Sequence, residues 1–306
     1  MRKIYTIGET VLDILFKNQL PFTAKAGGAC LNTAVTLGRL NLPVHFIGEY
    51  GMDQVGNIID AFLKQNHVST KHVYRYYDGK STLALAFLNE NNDASYDFYK
   101  IYPEKRLEVQ FPELMQDDIV LFGSIYAVTW EVRGKLMEFI REANKKKAIV
   151  LYDPNFRKHH LHELPKLRPL IFENMEHANI VRGSNEDFSF ILGADDADET
   201  YREVSRHCKN LLYTANKRGV FIRSAKVSCM CPVVELEPVS TIGAGDNFNA
   251  GIAYSLYRYR IGYSELENLS EDMWKTIANT AVEFATHVCM SYENYISEEF
   301  AEKYKL

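Results

Sequence analysis

Short apolar runs at residues 4–7, 44–47, 119–122, 149–152, 178–181 and 211–214 recur along the chain, and between most of them apolar residues return at every third and fourth position. A short, mostly apolar run bounded by turn residues suits a strand buried on both faces, whereas the three-and-four spacing marks one face of a helix. The helical stretches are 30–40, 53–65, 130–146, 245–259 and 273–287. Alternation of this kind predicts an α/β fold in which a mainly parallel central sheet is covered by helices.

Two regions break the alternation. Residues 11–16 with 22–26, and 83–88 with 95–101, read as strands with no helix between the members of each pair, and the polar stretch 89–93 has the composition of a hairpin turn. Inserted pairs of this sort predict a small separate sheet beside the main body. Its aromatic residues, Tyr96, Phe98 and Tyr99 with Tyr102 just beyond, exceed what a solvated ribbon needs, so the sheet is expected to serve as a lid or as a contact between two chains. Residues 1–306 read as one domain with lid strands inserted at about 11–26 and 83–101.

Composition narrows the function. With 46% hydrophobic and 25% charged residues over 306 positions the chain can bury a large core, and disorder is excluded. Thirty-five Lys and Arg against forty Asp and Glu give a net charge of −5, with the basic residues scattered, so no nucleic-acid partner is expected. Five cysteines, at 30, 208, 229, 231 and 289, form no CxxC pair and read as reduced thiols of a cytoplasmic protein. Cys229 and Cys231 fall on one face of an alternating, strand-like stretch. Glu9 and Asp13 interrupt the apolar start, and no apolar segment reaches the roughly 18 residues of a membrane span.

The sharpest chemical signal is Thr241-Ile242-Gly243-Ala244-Gly245-Asp246-Asn247-Phe248, at the opening of a helix. Small residues there let backbone amides converge on an anion, and the helix dipole favours negative charge. Asp246 beside such an anion hole is either a helix cap or, as we read it, a general base next to a transferred phosphoryl group that the amides and dipole keep ionised. A second cluster, Ala26-Gly27-Gly28-Ala29-Cys30-Leu31-Asn32, also precedes a helix. It lacks the Lys of a P-loop and the spacing of a dinucleotide fingerprint, which leaves a bland turn or a site for polyol hydroxyls. Asp13, in Gly8-Glu9-Thr10-Val11-Leu12-Asp13, is a polar residue inside a strand.

Taken together, these motifs resemble the ribokinase-like pfkB family of carbohydrate kinases, over nearly the whole chain. The resemblance implies a three-layer α/β/α sandwich with a small β-sheet lid. It implies that Gly243, Ala244 and Gly245 form the anion hole, that Asp246 deprotonates the acceptor, and that Asp13, Gly27, Gly28 and Asn32 bind sugar hydroxyls. Asp97-Phe98-Tyr99-Lys100 and Asp153-Pro154-Asn155-Phe156-Arg157 are similar to fructokinase segments, which adds Lys100 on the sugar and Arg157 in the cleft; a surface turn is the competing reading of the second. Gly48-Glu49-Tyr50-Gly51-Met52-Asp53-Gln54-Val55-Gly56 resembles a family segment taken as mainly structural.

On the nucleotide side the resemblance implies ATP contacts at Ser184, Thr214, Gly219 and Asn279, and a hold on Mg2+ through water by Asp187, one methylene shorter than the family's glutamate. Ser240 stands where relatives carry Asp, and Cys289-Met290-Ser291-Tyr292 replaces a Gly-Ala loop. Both positions belong to a monovalent-cation site in potassium-dependent relatives, so little potassium dependence is expected. The implied activity is ATP-dependent phosphorylation of a primary hydroxyl of a ketose such as fructose. A 2-keto-3-deoxygluconate or nucleoside kinase, or a catalytically silent sugar-binding regulator, are the alternatives. The implied assembly is a homodimer through the lid.

Overall fold

The computed structural model describes residues 2–88 and 94–306. Strand β1 (Ile4–Ile7) is interior to the main sheet, paired in parallel with β4 (Val44–Gly51) on one side and β8 (Ile119–Gly123) on the other. Parallel pairing continues outward from β8 through β9 (Ile149–Asp153), β10 (Ile180–Ser184) and β11 (Leu211–Thr214), and from β4 to β5 (Ser69–Tyr76). Two antiparallel strands, β12 (Val220–Arg223) and β13 (Ser228–Cys231), close the far edge, with Cys229 and Cys231 two apart on the same strand. Among the described residues the sheet has nine strands in the order β13-β12-β11-β10-β9-β8-β1-β4-β5.

Side-chain alternation along the central strands explains the two helical layers. Ile119, Leu121, Ile149 and Leu151 enter one core with α1 (Ala29–Arg39), α2 (Gln54–Gln65), α7 (Ala244–Arg258) and α8 (Glu271–Cys289). Their neighbours Val120, Phe122, Val150 and Tyr152 enter the other with α3 (Trp130–Lys145), α4 (Leu164–Glu176), α5 (Asn185–Leu192) and α6 (Ala197–Val204). A short α9 (Glu298–Glu302) ends the chain's described elements. Successive strand residues point to opposite faces, so a run apolar at every position fills both cores at once. The sandwich is the one expected.

The inserted strands form a second sheet of β2 (Val11–Lys17), β3 (Leu20–Gly27), β6 (Lys80–Leu88) and β7 (Ala94–Ile101), in the order β3-β2-β6-β7. The hairpin turn read at 89–93 lies outside the described residues. The Gly48–Gly56 segment serves the base of this sheet: Asp53 caps α2 through the Gly56 amide at 2.8 Å and accepts from the Ser81 amide at 2.8 Å and the Ser81 hydroxyl at 2.7 Å. One carboxylate thereby ties a main-body helix to the start of β6.

Two expectations shift. Strand β10 begins at Ile180 rather than at 178, because Ala178 closes the turn after α4 through its bond to Met175 O. Strand β5 was not legible, since its residues Lys71, His72 and Arg75 suit a sheet edge and interrupt any apolar run.

Candidate active site

Helix α7 begins at the mouth of the cleft with Gly243 in the left-handed region, φ 79°. A side chain at Gly243 would also strike Asn294, since a Cβ would lie 2.6 Å from the carbonyl oxygen. The Ala244 amide bonds weakly back to Thr241 O at 3.3 Å, while the amides of Gly245 and Asp246 have no acceptor among the described residues. Beneath them, Arg182 Nη1 would sit 2.7 Å from a Cβ on Gly245. This guanidinium is paired with Asp153 at 2.8 Å, bonds Thr214 Oγ1 at 2.9 Å, and packs over the Phe248 ring. Asp153 also accepts from Asn249 at 2.6 Å and the Asn155 amide at 2.9 Å. The Asp153–Arg157 segment is therefore not a simple surface turn; its aspartate is buried under the helix start.

Asp246 accepts from Asn32 Nδ2 at 2.8 Å, and its carbonyl accepts from the Thr33 hydroxyl at 2.8 Å, so α1 and α7 meet at their first turns. Asn247, fully buried, completes the joint with bonds to Thr36, Gly243 O and Asn294 O. The helix start was expected to keep the Asp246 carboxyl ionised near neutrality; burial pushes its proton affinity up to about 6, with Asn32 lowering it, Asp153 raising it, and Arg157 and Arg182 lowering it. It remains largely ionised at neutral pH, and a proton acceptor poised near the working pH is what general-base chemistry favours.

Next to this joint lies a cavity of about 110 Å³ whose wall includes Gly8, Glu9, Gly28, Cys30, Thr82, Phe98, Lys100, Ser124 and Tyr126. Gly28 has φ 130°, and a Cβ there would lie 2.2 Å from Glu9 O, so only glycine lets the chain turn into α1. Asp13 packs against Gly27, where a Cβ would lie 2.6 Å from its Oδ2. Its carboxylate has no hydrogen-bond partner among the described residues, and burial pushes it up to about 6. Lys100 reaches in from β7, 3.1 Å from Glu9 Oε1 and over the Phe98 ring. Gly28 and Lys100 thus line the cavity directly, whereas Gly27, Asp13 and Asn32 are not part of its wall: Gly27 precedes Gly28, Asp13 packs on Gly27, and Asn32 lies on the turn of α1 that Gly28 opens. Ser124 and Tyr126 gave no signal in the sequence beyond their place after β8.

Of the residues expected at the nucleotide, Ser184 and Thr214 end β10 and β11. Ser184 caps α5 in a capping box with Asp187. Asp187, 5% exposed, accepts from the Ser184 amide at 2.7 Å, the Ser184 hydroxyl at 2.6 Å and the Phe156 amide at 2.6 Å. Three donors fill most of the acceptor positions of one carboxylate. Gly219, φ 100°, turns β11 into β12 where a Cβ would meet Cys231 O at 2.6 Å. Asn279 is exposed on α8, and Arg157 is exposed after β9. Among the described residues no three acidic, histidine or cysteine side chains gather as a metal site, and no helix is long and apolar enough to cross a membrane.

The family model of pfkB carbohydrate kinases matches residues 1–291. A fructokinase of Rhizobium leguminosarum bv. trifolii is 28% identical over 263 residues, 83% of this chain and 79% of its own length. The aminoimidazole riboside kinase of Salmonella typhimurium is 25% identical over 263 residues, 84% of this chain and 82% of its own. Among solved structures, the fructokinase of Vibrio cholerae O395 with fructose, ADP and calcium bound superposes with a TM-score of 0.83 at 18% identity, covering 100% of this chain and 99% of that one.

Proposed function

This chain belongs to the pfkB family of carbohydrate kinases, and within that family we propose that it transfers the γ-phosphate of ATP to a primary hydroxyl of a ketose, fructose foremost, with Asp246 as general base. One observation carries the reading: a carboxylate with a raised proton affinity stands on the first turn of a helix where the amides of Gly245 and Asp246 have no acceptor among the described residues, and beside a cavity walled in part by polar side chains. A sugar hydroxyl in that cavity would give its proton to Asp246 Oδ1 or Oδ2 as its oxygen attacks, while the amides of Gly245 and Asp246 take up the charge of the transferred group. Asn32 orients the base, Gly243 lets the chain enter the helix, and the exposed Arg157 is close enough to Asp246 to act on it electrostatically. Fructokinases among the relatives support the acceptor.

Ser184, Thr214, Gly219 and Asn279 mark out the nucleotide's side. Among the described residues no side chains form a cage for magnesium, which fits an ion carried on the nucleotide's phosphates, where it would spread the charge of the phosphoryl group. Asp187 is held by its three donors as a support for the 153–156 turn, and any contact to that ion would run through water. The cell compartment that suits this substrate pair and the reduced cysteines is the cytoplasm. Coupled assay of ATP consumption with fructose, other ketoses, 2-keto-3-deoxygluconate and a ribonucleoside tests the reading. Sugar-dependent turnover with fructose in front is expected; binding without consumption of ATP would identify a silent regulator and overturn it.

A further inference from the structure

Glu9 stands at the passage from β1 into the lid and lines the cavity, and its carboxylate is fixed from one side only. Lys100 Nζ, at 3.1 Å, and the Tyr102 hydroxyl both donate to Oε1. Oε2 has no hydrogen-bond partner among the described residues. The Tyr102 ring is itself clamped: the Arg106 guanidinium lies 3.5 Å from its centre and is ion-paired with Glu49, whose other oxygen accepts from the Leu107 amide at 2.6 Å. Arg106 and Glu49 are buried at 6% and 5% exposure, so this anchor lies in the body of the protein rather than in the lid. A solvated surface glutamate needs no such support. In the same cavity wall the Tyr126 side chain is 2% exposed, and its hydroxyl is buried without a hydrogen-bond partner.

A buried hydroxyl without a partner is costly, and a carboxylate oxygen can only accept. The hydroxyls of a polyol satisfy both, donating to Glu9 and meeting the phenol of Tyr126. A carboxylate on the ligand would instead meet the charge of Glu9, and the charge of Lys100 is already balanced by Glu9, so the pair offers a ligand carboxylate no net attraction. We propose that Glu9 is a specificity-determining residue that accepts from a hydroxyl of a neutral sugar at the lid end of the cavity, with Tyr126 as the second contact, so that neutral polyols are taken and sugar acids refused. The inference rests on the cavity being the acceptor site of the proposed kinase.

Titration calorimetry on the full chain tests it, with fructose, its monodeoxy analogues and 2-keto-3-deoxygluconate as probes. Glu9→Gln should weaken fructose binding about ten- to a hundredfold, the range of a lost hydrogen bond to a charged group, and leave nucleotide affinity unchanged. It should also narrow the gap between fructose and the sugar acid. One deoxy analogue should lose a similar factor on the native protein and little on Glu9→Gln, and Tyr126→Phe should weaken fructose by a smaller factor. Equal fructose affinity in native and Glu9→Gln protein, a uniform loss across all analogues, or a native protein that binds no neutral sugar would each overturn the proposal. Native protein that binds fructose yet transfers no phosphate would sink the kinase reading and leave the role of Glu9 standing.

Discussion

Asn32, on the first turn of α1, donates its side-chain amide to Asp246, on the first turn of α7, at 2.8 Å across 214 residues of chain. The bond joins the helix start beside the cavity to the helix start that carries the proposed anion hole, and Asn32 Oδ1 is left buried with no partner among the described residues. Asn32 is thus placed both to accept from a ligand and to set the state of the base. Asn32→Ala should weaken sugar binding and, by removing a donor that lowers the Asp246 proton affinity, move the acid limb of the pH–rate profile upward. Calorimetry and a pH profile measure the two effects, and a variant with native sugar affinity and an unmoved acid limb would remove Asn32 from both roles. Asp13→Ala is expected to weaken the sugar alone, through a lost contact worth about 1–3 kcal/mol, with ATP affinity unchanged.

Asp246→Asn is nearly isosteric and keeps a side chain able to meet Asn32. Turnover should fall by roughly two to four orders of magnitude, the range for removing a general base, while the fold and sugar affinity persist. Single-turnover kinetics beside a thermal melt separate chemistry from folding. Native-like turnover would mean that another group takes the proton.

The same carboxylate ties activity and stability to pH in opposite directions. As the proposed base Asp246 must be ionised to act, so kcat/KM should rise through an apparent value of about 6 and level off above it. For stability the sign reverses, because the folded-state proton affinities of Asp246 and Asp13, each up to about 6, exceed those of the unfolded chain near 3.8. Between those values the folded state binds more protons, and its stability falls as pH rises towards 6. Asp246→Asn and Asp13→Asn should therefore raise the melting temperature at pH 8 and change it little near pH 4. A variant less stable than native at pH 8 would contradict this.

Potassium should stimulate little. The Cys289 carbonyl already accepts from the Val239 amide at 2.8 Å and the Ser240 amide at 3.3 Å. The Tyr292 carbonyl accepts from the Lys25 ammonium at 2.8 Å, and Lys25 also pairs with Glu293. With Ser240 bringing no carboxylate, two of the loop's carbonyl oxygens, those of Cys289 and Tyr292, are engaged by protein donors, one of them cationic. Initial rates in potassium and in a bulky organic cation at equal ionic strength should agree closely, and a large potassium stimulation would show an ion site that these contacts do not foreshadow.

What the sequence revealed follows from how local each cause is. The central strands were legible because burial on both faces leaves an apolar run, and Gly243 to Asp246 because a helix start with small residues is built from consecutive positions. Strand β5 and helix α4 were not, the first for its edge charges and the second because Pro169 lies inside its apolar pattern. Asp187 could be read only by resemblance, and its capping bonds and its bond to Phe156 N needed the fold. Glu9 could be quoted from a motif, but its anchor depends on Tyr102, 93 residues away, and on Arg106 held by Glu49. No spacing rule reports a contact of that kind.

The lid should pair two chains. Its register puts Asp13, Ala84 and Phe98 in one row and Leu12, Leu83 and Tyr99 in the next, so the two sets face opposite ways. Phe98 lines the cavity, which assigns its face to the site. Leu12 and Leu83 at the base of the other face pack into the main core, but the row two positions further along carries Ile14 and Leu85, and the one beyond it stacks Phe16 on Phe87, so the outer part of that face is apolar too. On the edge strands β3 and β7, Leu20, Phe22, Tyr99 and Ile101 are each more than half exposed. A four-stranded sheet with apolar residues on both faces has one face left to cover, and a second copy in a two-fold contact covers it with the same surface. Light scattering at micromolar concentration should therefore give a dimer mass, and Phe22→Asp combined with Tyr99→Asp should give a folded monomer. Monomer in the native protein, or a dimer untouched by both charges, would place the contact elsewhere or remove it.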